Sequence, residues 1–358
     1  KKMIKYTIWL MKGEAMNVSI IGTTGYGGAE LLRILHRHPE FKIQSIHSSK
    51  KDIPIWKEYP HLFEIIGDNL QNINSSMIAE QSDIVFLATP SGISGHLAAD
   101  FENKNITVID LSGDLRLPAE TYKAWYKHEP VNESLSAKAV YGLSEWYKEE
   151  IRASRLIANP GCYPTATLLG LAPVVKEKLI NPSSIIVDAK SGVSGAGRSL
   201  ARNTSFSEAN ENFRVYKVNE HQHTPEIEKQ LSRWNNDISP ITFTTHLLPI
   251  TRGIMITAYA QLSADLNTSQ LLELYNETYR ENPFIRIRPE NTFPSVKEVA
   301  GSNYCDIGLH VDPRTGRLTI ISVIDNLMKG AAGQAVQNAN IICGFEETAG
   351  LDFMPMYP

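Results

Sequence analysis

The sequence contains few cysteines, no long apolar run and no excess of charge of either sign. Three cysteines among 358 residues are too few for a disulfide framework and suit a reducing compartment. The 35 basic and 39 acidic residues give a net charge of -4, which offers no electrostatic reason to expect nucleic acid or an anionic membrane as a partner. No stretch approaches the ~18 apolar residues that a membrane span needs. These absences argue against a disulfide scaffold, a membrane protein and a nucleic-acid-binding protein.

What remains is the composition of a globular protein with two domains. Apolar residues make up 42% and charged residues 21%, and a length of 358 residues exceeds one domain of ordinary size. The apolar run at 8–11 is shorter than the ~7 residues that a signal peptide requires, so a signal peptide is not predicted. Residues 1–15 are instead predicted to be an N-terminal extension. The fold is expected to begin near Met16.

Short β-rich runs alternate with helical patterns in the first part of the chain. These patterns predict strands at 18–21, 41–47, 83–88 and 106–110, and helices at 29–38 and 93–101. Strands that alternate with helices at this spacing imply crossover connections and a parallel sheet. The predicted fold class is therefore α/β, with a Rossmann-type, doubly wound parallel sheet.

The pattern changes near residue 155. It then predicts strands at 155–159, 184–190, 241–248, 254–262 and 318–324, and a helix at 269–279. Longer, glycine-rich loops indicate a second, α+β domain with a largely antiparallel sheet. Residues 326–340, rich in glycine and alanine, are predicted to form a helix that returns to the first domain. This division assigns 16–158 and 327–358 to the first domain, and 159–326 to a catalytic, substrate-binding and oligomerisation domain.

A glycine-rich turn, Gly22-x-x-Gly25-x-x-Gly28, joins the first strand to the first helix. Glycines let the backbone turn tightly and approach a pyrophosphate, and the helix N-terminus adds free N–H groups. The turn predicts dinucleotide binding, and the competing interpretation is a glycine-rich turn without a ligand. The residues expected to contact the cofactor here are Gly22, Thr24, Gly25, Tyr26 and Gly27.

The segment after the second strand indicates which dinucleotide is bound. Selectivity for NAD usually requires an Asp or Glu about 20 residues beyond the turn, whereas Ser48, Ser49 and Lys50 stand here. Two hydroxyls and two lysines, Lys50 and Lys51, suit the 2′-phosphate of NADP(H), and the alternative is a solvated polar loop. The dinucleotide is then expected to cross the carboxyl edge of the sheet after the third strand, at Thr89, Pro90 and Ser91.

Cys162 lies in the segment Asn159-Pro-Gly-Cys-Tyr-Pro-Thr165, between a predicted strand and an apolar helix. A cysteine at a helix N-terminus is expected to have a lowered thiol pKa, because the helix dipole and free N–H groups stabilise the thiolate. Cys162 is thus the candidate nucleophile. The alternative, a buried and inert cysteine, is the interpretation adopted for Cys305 and Cys343.

His221 and His223 are the candidates for acid–base chemistry. Their spacing is expected to place both side chains on one face of an extended segment, and histidine titrates near neutral pH. Glu226 nearby raises the alternative of a zinc site, but no third ligand with familiar spacing appears, so no metal is predicted. Arg116, Arg198 and Arg252 lie in loops rich in donors and could bind a phosphate or carboxylate.

Together these segments resemble the N-acetyl-γ-glutamyl-phosphate reductases, a branch of the semialdehyde dehydrogenase family. The resemblance runs from 22 to 340 and is carried by the segments at 22–28, 110–116, 159–165, 191–198, 221–226 and 325–334. Such enzymes usually have arginine between the paired histidines, where Gln222 stands here. They often have histidine at the position of Ser91.

The resemblance implies an NADPH-dependent reduction of N-acetyl-glutamyl 5-phosphate to the 5-semialdehyde, with release of phosphate, in arginine biosynthesis. It implies a thioester on Cys162, protonation by a histidine with His221 as first choice, and a homodimer or homotetramer in the cytoplasm. The residues implied in substrate binding are Arg116, Ser191, Arg198, Glu220 and Arg252. The C-terminal helix is implied to hold the nicotinamide through Asn326 and Gly330.

Four alternatives remain open from the sequence. The enzyme could act on aspartyl phosphate, as aspartate-semialdehyde dehydrogenases do, or on glutamyl phosphate with a different N-acyl group such as succinyl. A cofactor-sensing Rossmann regulator would not need a reactive cysteine beside paired histidines. A cysteine hydrolase or acyltransferase would leave the glycine-rich turn unexplained.

Overall fold

A computed structural model describes residues 15–357 of the chain. The predicted N-terminal extension therefore lies, except for its last residue, outside the described residues. Among residues 15–357, no helix combines the length and the apolar character needed to span a membrane.

The first sheet is entirely parallel. Its strands are β1 (Met16–Ile21), β2 (Phe41–His47), β3 (Ile84–Leu87), β4 (Thr107–Asp110), β5 (Val140–Tyr141) and β6 (Leu156–Ala158). Across the sheet they are ordered β2-β1-β3-β4-β6-β5, and every neighbouring pair is parallel. Strands β3 and β4 are buried at every position, as expected for a sheet covered on both faces. The predicted Rossmann-type sheet is confirmed.

Helices connect these strands. They are α1 (Tyr26–Leu35), α2 (Ser75–Gln81), α3 (Ser94–Phe101), α4 (Ala119–Tyr126), α5 (Glu133–Ser136) and α6 (Ser144–Ala153). The predicted start of the first helix at residue 29 was late, because the apolar period begins at Ala29 whereas the helix already begins inside the glycine-rich turn. Helices α2, α4, α5 and α6 were not predicted from the sequence.

The second sheet is mixed and largely antiparallel. Its strands are β7 (Ile186–Gly192), β8 (Arg214–Tyr216), β9 (Thr242–Leu248), β10 (Ile254–Gln261), β11 (Ile285–Ile287), β12 (Cys305–Asp312) and β13 (Arg317–Ile324). They are ordered β11-β12-β13-β10-β7-β9-β8, and the neighbours are antiparallel except for the pairs β11–β12 and β7–β9. The predicted sheet type is confirmed, although β8, β11 and β12 were not predicted.

The helices that accompany the second sheet are α7 (Cys162–Lys176), α8 (Phe206–Ala209), α9 (Thr224–Trp234) and α10 (Thr268–Thr278). Short 3-10 turns occur at Ile55–Lys57, Pro60–Leu62, Val193–Ala196, Arg202–Thr204 and Val296–Glu298. Helix α7 is buried from Tyr163 to Val175 and packs against α9, β10 and β13. Because α7 begins at Cys162, the candidate nucleophile lies at the N-terminal end of this buried helix and is itself partly exposed.

The C-terminal segment consists of two helical pieces rather than the single predicted helix. A π-helix at Met328–Ala332 is followed by α11 (Gly333–Cys343), which packs against α1 and α6. The chain therefore returns to the helices of the first sheet, while the π-helix packs against α7. The domain boundaries themselves stay a prediction.

Candidate active site

The glycine-rich turn is shaped by close backbone contacts. Gly22 has a φ of 94°, and a Cβ at this position would lie 2.5 Å from the carbonyl oxygen of Ala88 on the neighbouring strand. A Cβ at Gly28 would lie 2.4 Å from the carbonyl oxygen of Gly22. Gly25 is the N-cap of α1, so no cap side chain satisfies the amides of the first turn. The turn can hold an anion as predicted.

Tyr59, from outside the turn, stabilises the backbone at its middle residues. The hydroxyl of Tyr59 donates hydrogen bonds to the carbonyl oxygens of Thr24 (2.8 Å) and Gly25 (3.0 Å). Tyr26 is 36% exposed, and a Cβ at Gly27 would have no neighbour within 4 Å, so this side of the turn is open.

The segment after β2 lies beside this turn, since the amide of Gly22 donates to the carbonyl oxygen of His47 at 2.8 Å. Ser48 is buried, and its hydroxyl is bonded to the backbone of Lys50. Ser49 is exposed, and Nζ of Lys50 contacts a carboxylate oxygen of Glu58 at 2.6 Å. The ammonium group of Lys50 thus lies in the segment predicted to bind the 2′-phosphate. The hydroxyl of Ser48 is already used in hydrogen bonds within its own turn.

One buried hydroxyl at the carboxyl edge of β3 has no partner. Thr89 Oγ1 is buried without a hydrogen bond among residues 15–357, and its amide lies close to Gly22. Pro90 is exposed, and Ser91 Oγ accepts a hydrogen bond from the amide of Gly113 at 3.1 Å. An unpaired buried hydroxyl next to a turn with no room for a side chain fits a bound dinucleotide.

Cys162 is the first residue of α7, with Gly161 as N-cap, so its predicted place at a helix N-terminus is confirmed. The predicted lowering of its pKa is wrong. Burial raises the pKa of the Cys162 thiol to about 11, although the amide of Tyr163 and the charge of Arg116 act in the opposite direction. The helix terminus does favour the thiolate, but desolvation outweighs it.

Gly330 and Asn326 approach the cysteine from the C-terminal segment. A Cβ at Gly330 would lie 2.8 Å from Cβ of Cys162, so glycine is needed for this close packing. Asn326 is buried, its Oδ1 accepts from the amide of Gly253 at 2.8 Å, and its Nδ2 donates to Ser194 Oγ at 2.9 Å. Gly330 therefore contacts the nucleophile, and Asn326 joins two loops.

The paired histidines lie in a turn, which corrects the predicted extended segment. His223 has helical dihedral angles and is the N-cap of α9. The amide of Thr224, the first residue of α9, donates to the carbonyl oxygen of His221 at 2.9 Å and closes the turn. The turn still brings the two rings together, with centroids 4.8 Å apart. A Cβ at Gly161 would lie 2.6 Å from Nε2 of His223, so the pair faces the cysteine loop.

Both imidazoles are neutral in this environment. Burial, together with the charges of the neighbouring ring and of Lys217, lowers the pKa of His221 to about 2. Burial and the charge of Arg116 hold the pKa of His223 well below its usual range. His221 Nδ1 accepts a hydrogen bond from the amide of His223 at 3.1 Å, which leaves Nε2 to carry the proton. His223 Nδ1 is buried and has no partner in the described part of the chain.

From the sequence, Glu226 was considered only as a zinc ligand. In the structure its carboxylate contacts three groups of the cysteine site. Its buried carboxylate accepts hydrogen bonds from the amide of Gly161 (2.9 Å) and the hydroxyl of Tyr141 (2.8 Å), and it pairs with Nη1 of Arg116 (3.2 Å). It thereby ties α9 to the residue that precedes Cys162. Its place in the first turn of a helix directly after the histidine pair was the signal available in the sequence.

Arg116 lies under the cysteine loop with all three nitrogen groups engaged. Nε donates to the carbonyl oxygen of Asn159 and Nη2 to that of Leu111, both at 2.8 Å, while Nη1 pairs with Glu226. The side chain is 4% exposed. The arginine thus lies beside the nucleophile and fixes the two loops that follow β4 and β6.

The other two arginines bind groups outside the loop of Cys162. Arg198 donates to the carbonyl oxygen of Thr24 (3.1 Å), pairs with Glu58 (3.2 Å) and covers the ring of Tyr59. Arg252 pairs with Glu30 at 2.7 Å and approaches Asp325 at 3.6 Å.

Two further predicted substrate residues have different environments. Ser191 is buried and donates to the carbonyl oxygen of Gly192 at 3.0 Å, whereas Glu220 is exposed. The geometry thus brings Arg116 to the nucleophile, and it leaves Arg198, Arg252 and Glu220 without a described contact to Cys162.

A cavity of about 480 Å³ opens beside the nucleotide turn. It is lined by Tyr26, Val193, Ser194, Thr251 and residues 197–202, 204 and 205. Ser194 is the residue bonded to Asn326, so the cavity extends from the predicted cofactor turn towards the C-terminal segment.

Across residues 15–357, no group of three or more His, Cys, Asp or Glu side chains is placed to hold a metal ion. Glu226, the ligand that a zinc site would need, has its carboxylate bonded to Gly161, Tyr141 and Arg116.

Comparison with known proteins places these features in one family. The profile described as "Semialdehyde dehydrogenase, NAD binding domain" matches residues 17–154, and the one described as "Semialdehyde dehydrogenase, dimerisation domain" matches residues 162–326. The chain belongs to the semialdehyde dehydrogenase family. The glycine-rich turn lies within the NAD binding match, so the prediction of a nicotinamide dinucleotide is confirmed.

Relatives in the family are similar over nearly the whole chain. A protein of Geobacillus sp. named N-acetyl-gamma-glutamyl-phosphate reductase is 55% identical over 345 residues, which cover 96% of this chain and 100% of that protein. A protein of the same name from Bacillus cereus is 54% identical over 344 residues, with the same coverage. The resemblance found in the sequence is thereby confirmed.

Solved structures share the fold at low identity. Aspartate semialdehyde dehydrogenase II of Vibrio cholerae, complexed with ASA, has a TM-score of 0.67 at 19% identity over 92% of this chain and 98% of that chain. Aspartate semialdehyde dehydrogenase of Candida albicans, solved with NADP, has a TM-score of 0.66 at 14% identity over the same shares.

Proposed function

We propose that the protein is an NADP-dependent N-acetyl-γ-glutamyl-phosphate reductase of arginine biosynthesis. It reduces the acyl phosphate to N-acetyl-glutamate 5-semialdehyde and releases phosphate. The observation that carries the proposal is Cys162 at the N-terminus of α7, surrounded by Gly330, Arg116 and the neutral histidine pair. The choice among acyl phosphates rests on the relatives that are 54–55% identical over 96% of the chain.

Thioester formation starts from a neutral thiol. The pKa of Cys162 is raised to about 11 and that of His221 is lowered to about 2, so a free thiolate–imidazolium pair is disfavoured. The proton therefore leaves sulfur for a histidine only as sulfur attacks the carbonyl carbon. The amides of the first turn of α7 stabilise the resulting oxyanion, and the C–O bond to phosphate then breaks as the leaving phosphate takes the proton from the histidine.

His221 is the first candidate for the acid in the reductive half of the reaction. Because its Nδ1 accepts from the amide of His223, its Nε2–H can donate a proton to a developing oxyanion, and Nε2 then takes a replacement proton from solvent. When the C–S bond breaks, the semialdehyde leaves and the proton returns to sulfur. We expect His221→Asn to lower kcat more than His223→Asn, and the reverse order would reassign the acid to His223.

The residues of the first sheet fit the cofactor that this chemistry requires. Gly22, Gly25 and Thr89 would hold the pyrophosphate, and Lys50 would select the 2′-phosphate of NADP(H). Hydride transfer to the thioester carbon is the chemistry that NADPH would supply when bound there. Gly330 and Asn326 would line the nicotinamide side of the site, where Gly330 already touches Cys162.

The charged groups of the substrate require donors. We propose Arg116 and Ser191 for the groups nearest Cys162, because both are buried beside the catalytic segments. For the substrate groups farther from Cys162 we propose Arg198, Arg252 and Glu220. Arg198 would exchange its contact with Glu58 for a substrate anion, since that pair is partly exposed and such pairs contribute little free energy.

We also propose that the protein acts as a homodimer or homotetramer in the cytoplasm. The match to the dimerisation domain covers the second sheet, and one face of this sheet has half-exposed side chains at alternate positions of β10. These side chains are Met255, Thr257, Tyr259 and Gln261. A second copy of the chain would cover them.

The test compares three semialdehydes in the phosphate-dependent reduction of NADP+. We expect N-acetyl-glutamate semialdehyde to have the highest kcat/KM, above N-succinyl-glutamate semialdehyde and aspartate semialdehyde. Cys162→Ser should abolish turnover while NADPH still binds. A higher kcat/KM for either competing substrate would replace the proposed one, and full activity of the Cys162→Ser chain would refute the mechanism.

A further inference from the structure

The segment that touches Cys162 is a π-helix. The amide of Gly330 donates to the carbonyl oxygen of Asp325 at 3.0 Å, and that of Ala332 donates to Leu327 at 2.9 Å, both over five residues. Such turns are rare and are less regular than the α-helix that follows here, and they occur frequently at functional sites. This geometry therefore needs support from its surroundings.

The front of the π-helix packs on the cysteine loop. Gly330 lies against Cβ of Cys162, and Nδ2 of Asn159 donates to the carbonyl oxygen of Ala331 at 3.1 Å. If the segment became a regular α-helix, its residues would rotate by about 100° for each position shifted. A residue with a Cβ would then face Cys162, where even the Cβ of alanine at position 330 would lie 2.8 Å away.

The back of the π-helix carries a fully buried lysine. Nζ of Lys329 pairs with Oε1 of Glu145 at 2.5 Å, with both side chains 0% exposed, and donates to Oε1 of Gln337 at 2.7 Å. Gln337 in turn donates to Glu145 (3.2 Å) and to Glu347 (2.8 Å). The lysine is thus held from α6 and α11 at once.

This ion pair is poorly suited to stabilising the fold. Removing two charges from water costs free energy that their attraction often does not recover, and buried pairs can be replaced by apolar side chains without loss of stability. Apolar contacts do not depend on direction, whereas the hydrogen bonds of a lysine to two fixed acceptors do. These bonds therefore favour one rotation of the π-helix about its axis. The pair therefore fits a role in fixing the position of the π-helix.

We propose that Lys329 and Glu145 are positioning residues that hold the π-helix in the register that places Gly330 against Cys162. They act through Gly330 and touch neither the nucleophile nor the proposed substrate. The inference about turnover rests on the proposed function, whereas the inference about the packing of Cys162 does not.

The test uses Lys329→Met, the double variant Lys329→Met with Glu145→Leu, and Lys148→Met as the matched control. Lys148 pairs with Glu347 at 2.5 Å at the edge of the same network, but it is 43% exposed and lies outside the π-helix. Turnover is measured with N-acetyl-glutamate semialdehyde, NADP+ and phosphate. The rate at which iodoacetamide alkylates Cys162 is followed on its own peptide without any substrate.

We expect the double variant to melt at or above the temperature of the unaltered chain, while kcat stays lower by between about tenfold and about a hundredfold and KM changes little. Alkylation of Cys162 should be slower in both Lys329 variants, because a residue with a Cβ then faces Cys162, and it should be unchanged in the control. Recovery of kcat together with stability in the double variant would reduce the pair to a structural role and overturn the proposal. Failure of the double variant to fold, or an unchanged alkylation rate, would also overturn it.

If the unaltered chain does not turn over this substrate, the proposed function fails, and the alkylation rates still decide the packing of Cys162.

Discussion

The nucleotide turn and the cysteine site hold their groups in different ways. The turn depends on space, because Gly22 and Gly28 leave no room for a side chain next to neighbouring carbonyl oxygens. The cysteine site depends on buried charge, because Glu226 and Arg116 fasten the loop of Cys162 from α9 and from the segment after β4. A substitution in the turn should therefore act through a clash, and one at the cysteine site through an unpaired charge.

The largest effect is expected from Glu226→Gln. The change leaves Arg116 without its charged partner inside the protein, and breaking a buried pair on one side costs about 3 kcal/mol in the free energy of unfolding. Urea denaturation measures this loss, and kcat should fall with it as the loop of Cys162 shifts. The control is Glu149→Gln, which removes an exposed pair with Arg152 and should change stability by less than about 0.5 kcal/mol. Equal losses in both variants would show that the buried pair of Glu226 and Arg116 is worth no more than an exposed pair, which would contradict the dependence of the cysteine site on buried charge.

Alanine substitutions at two glycines of the turn should change the free energy of unfolding in different ways, and they test whether the turn depends on the lack of room for a side chain. Gly22→Ala should lower the free energy of unfolding by about 2 kcal/mol, because its φ of 94° and the oxygen of Ala88 both exclude a Cβ. Gly27→Ala should leave stability unchanged or raise it by up to about 1 kcal/mol, because a Cβ at this helical position meets nothing within 4 Å. Thermal unfolding of both variants provides the measurement, and a stable Gly22→Ala chain would contradict the account.

The pH dependence of Cys162 tests the electrostatics of the cysteine site. Since burial raises the thiol pKa to about 11, the neutral thiol predominates at pH 8, and the thiolate fraction grows only as the pH approaches 11. The rate of alkylation of Cys162 without ligands should therefore still be rising at pH 10, above the ordinary thiol pKa of about 8.5. A plateau below pH 8 would show that the helix terminus outweighs burial.

The smallest effect is expected at the edge of the turn. Lys50→Ala should reduce the preference for NADPH over NADH by no more than about tenfold, because the exposed ammonium is screened by solvent and already paired with Glu58. The ratio of kcat/KM values for the two cofactors measures the change. Lys51→Ala, an exposed neighbour in the same segment, is the control, and an equal effect of both would assign the preference to general charge.

The two regions also differ in how far the sequence predicts them. The turn is contained in residues 22–28, so its glycine spacing and flanking strand and helix identify it directly. The position of Cys162 at a helix N-terminus follows from local sequence as well. Its pKa does not, because the burial that raises it comes from segments distant in the sequence, including the π-helix with Gly330.

The remaining features of the site depend on contacts that no local pattern displays. The histidine pair was expected on an extended segment, whereas α9 begins directly after His223 and draws it into a turn. Glu226 and Lys329 look like ordinary charged residues of helices in the sequence. Only the packing of α9 on α7, and of the π-helix between α6 and α11, shows that both are buried and paired.

The central claim is that Cys162 becomes acylated. Mixing the chain with N-acetyl-glutamate semialdehyde and NADP+ without phosphate should release about one equivalent of NADPH and leave the acyl group on the peptide that contains Cys162, as mass spectrometry would show. Addition of phosphate should then discharge it. A burst without an adduct on that peptide, or an adduct that also forms in the Cys162→Ser chain, would contradict the account.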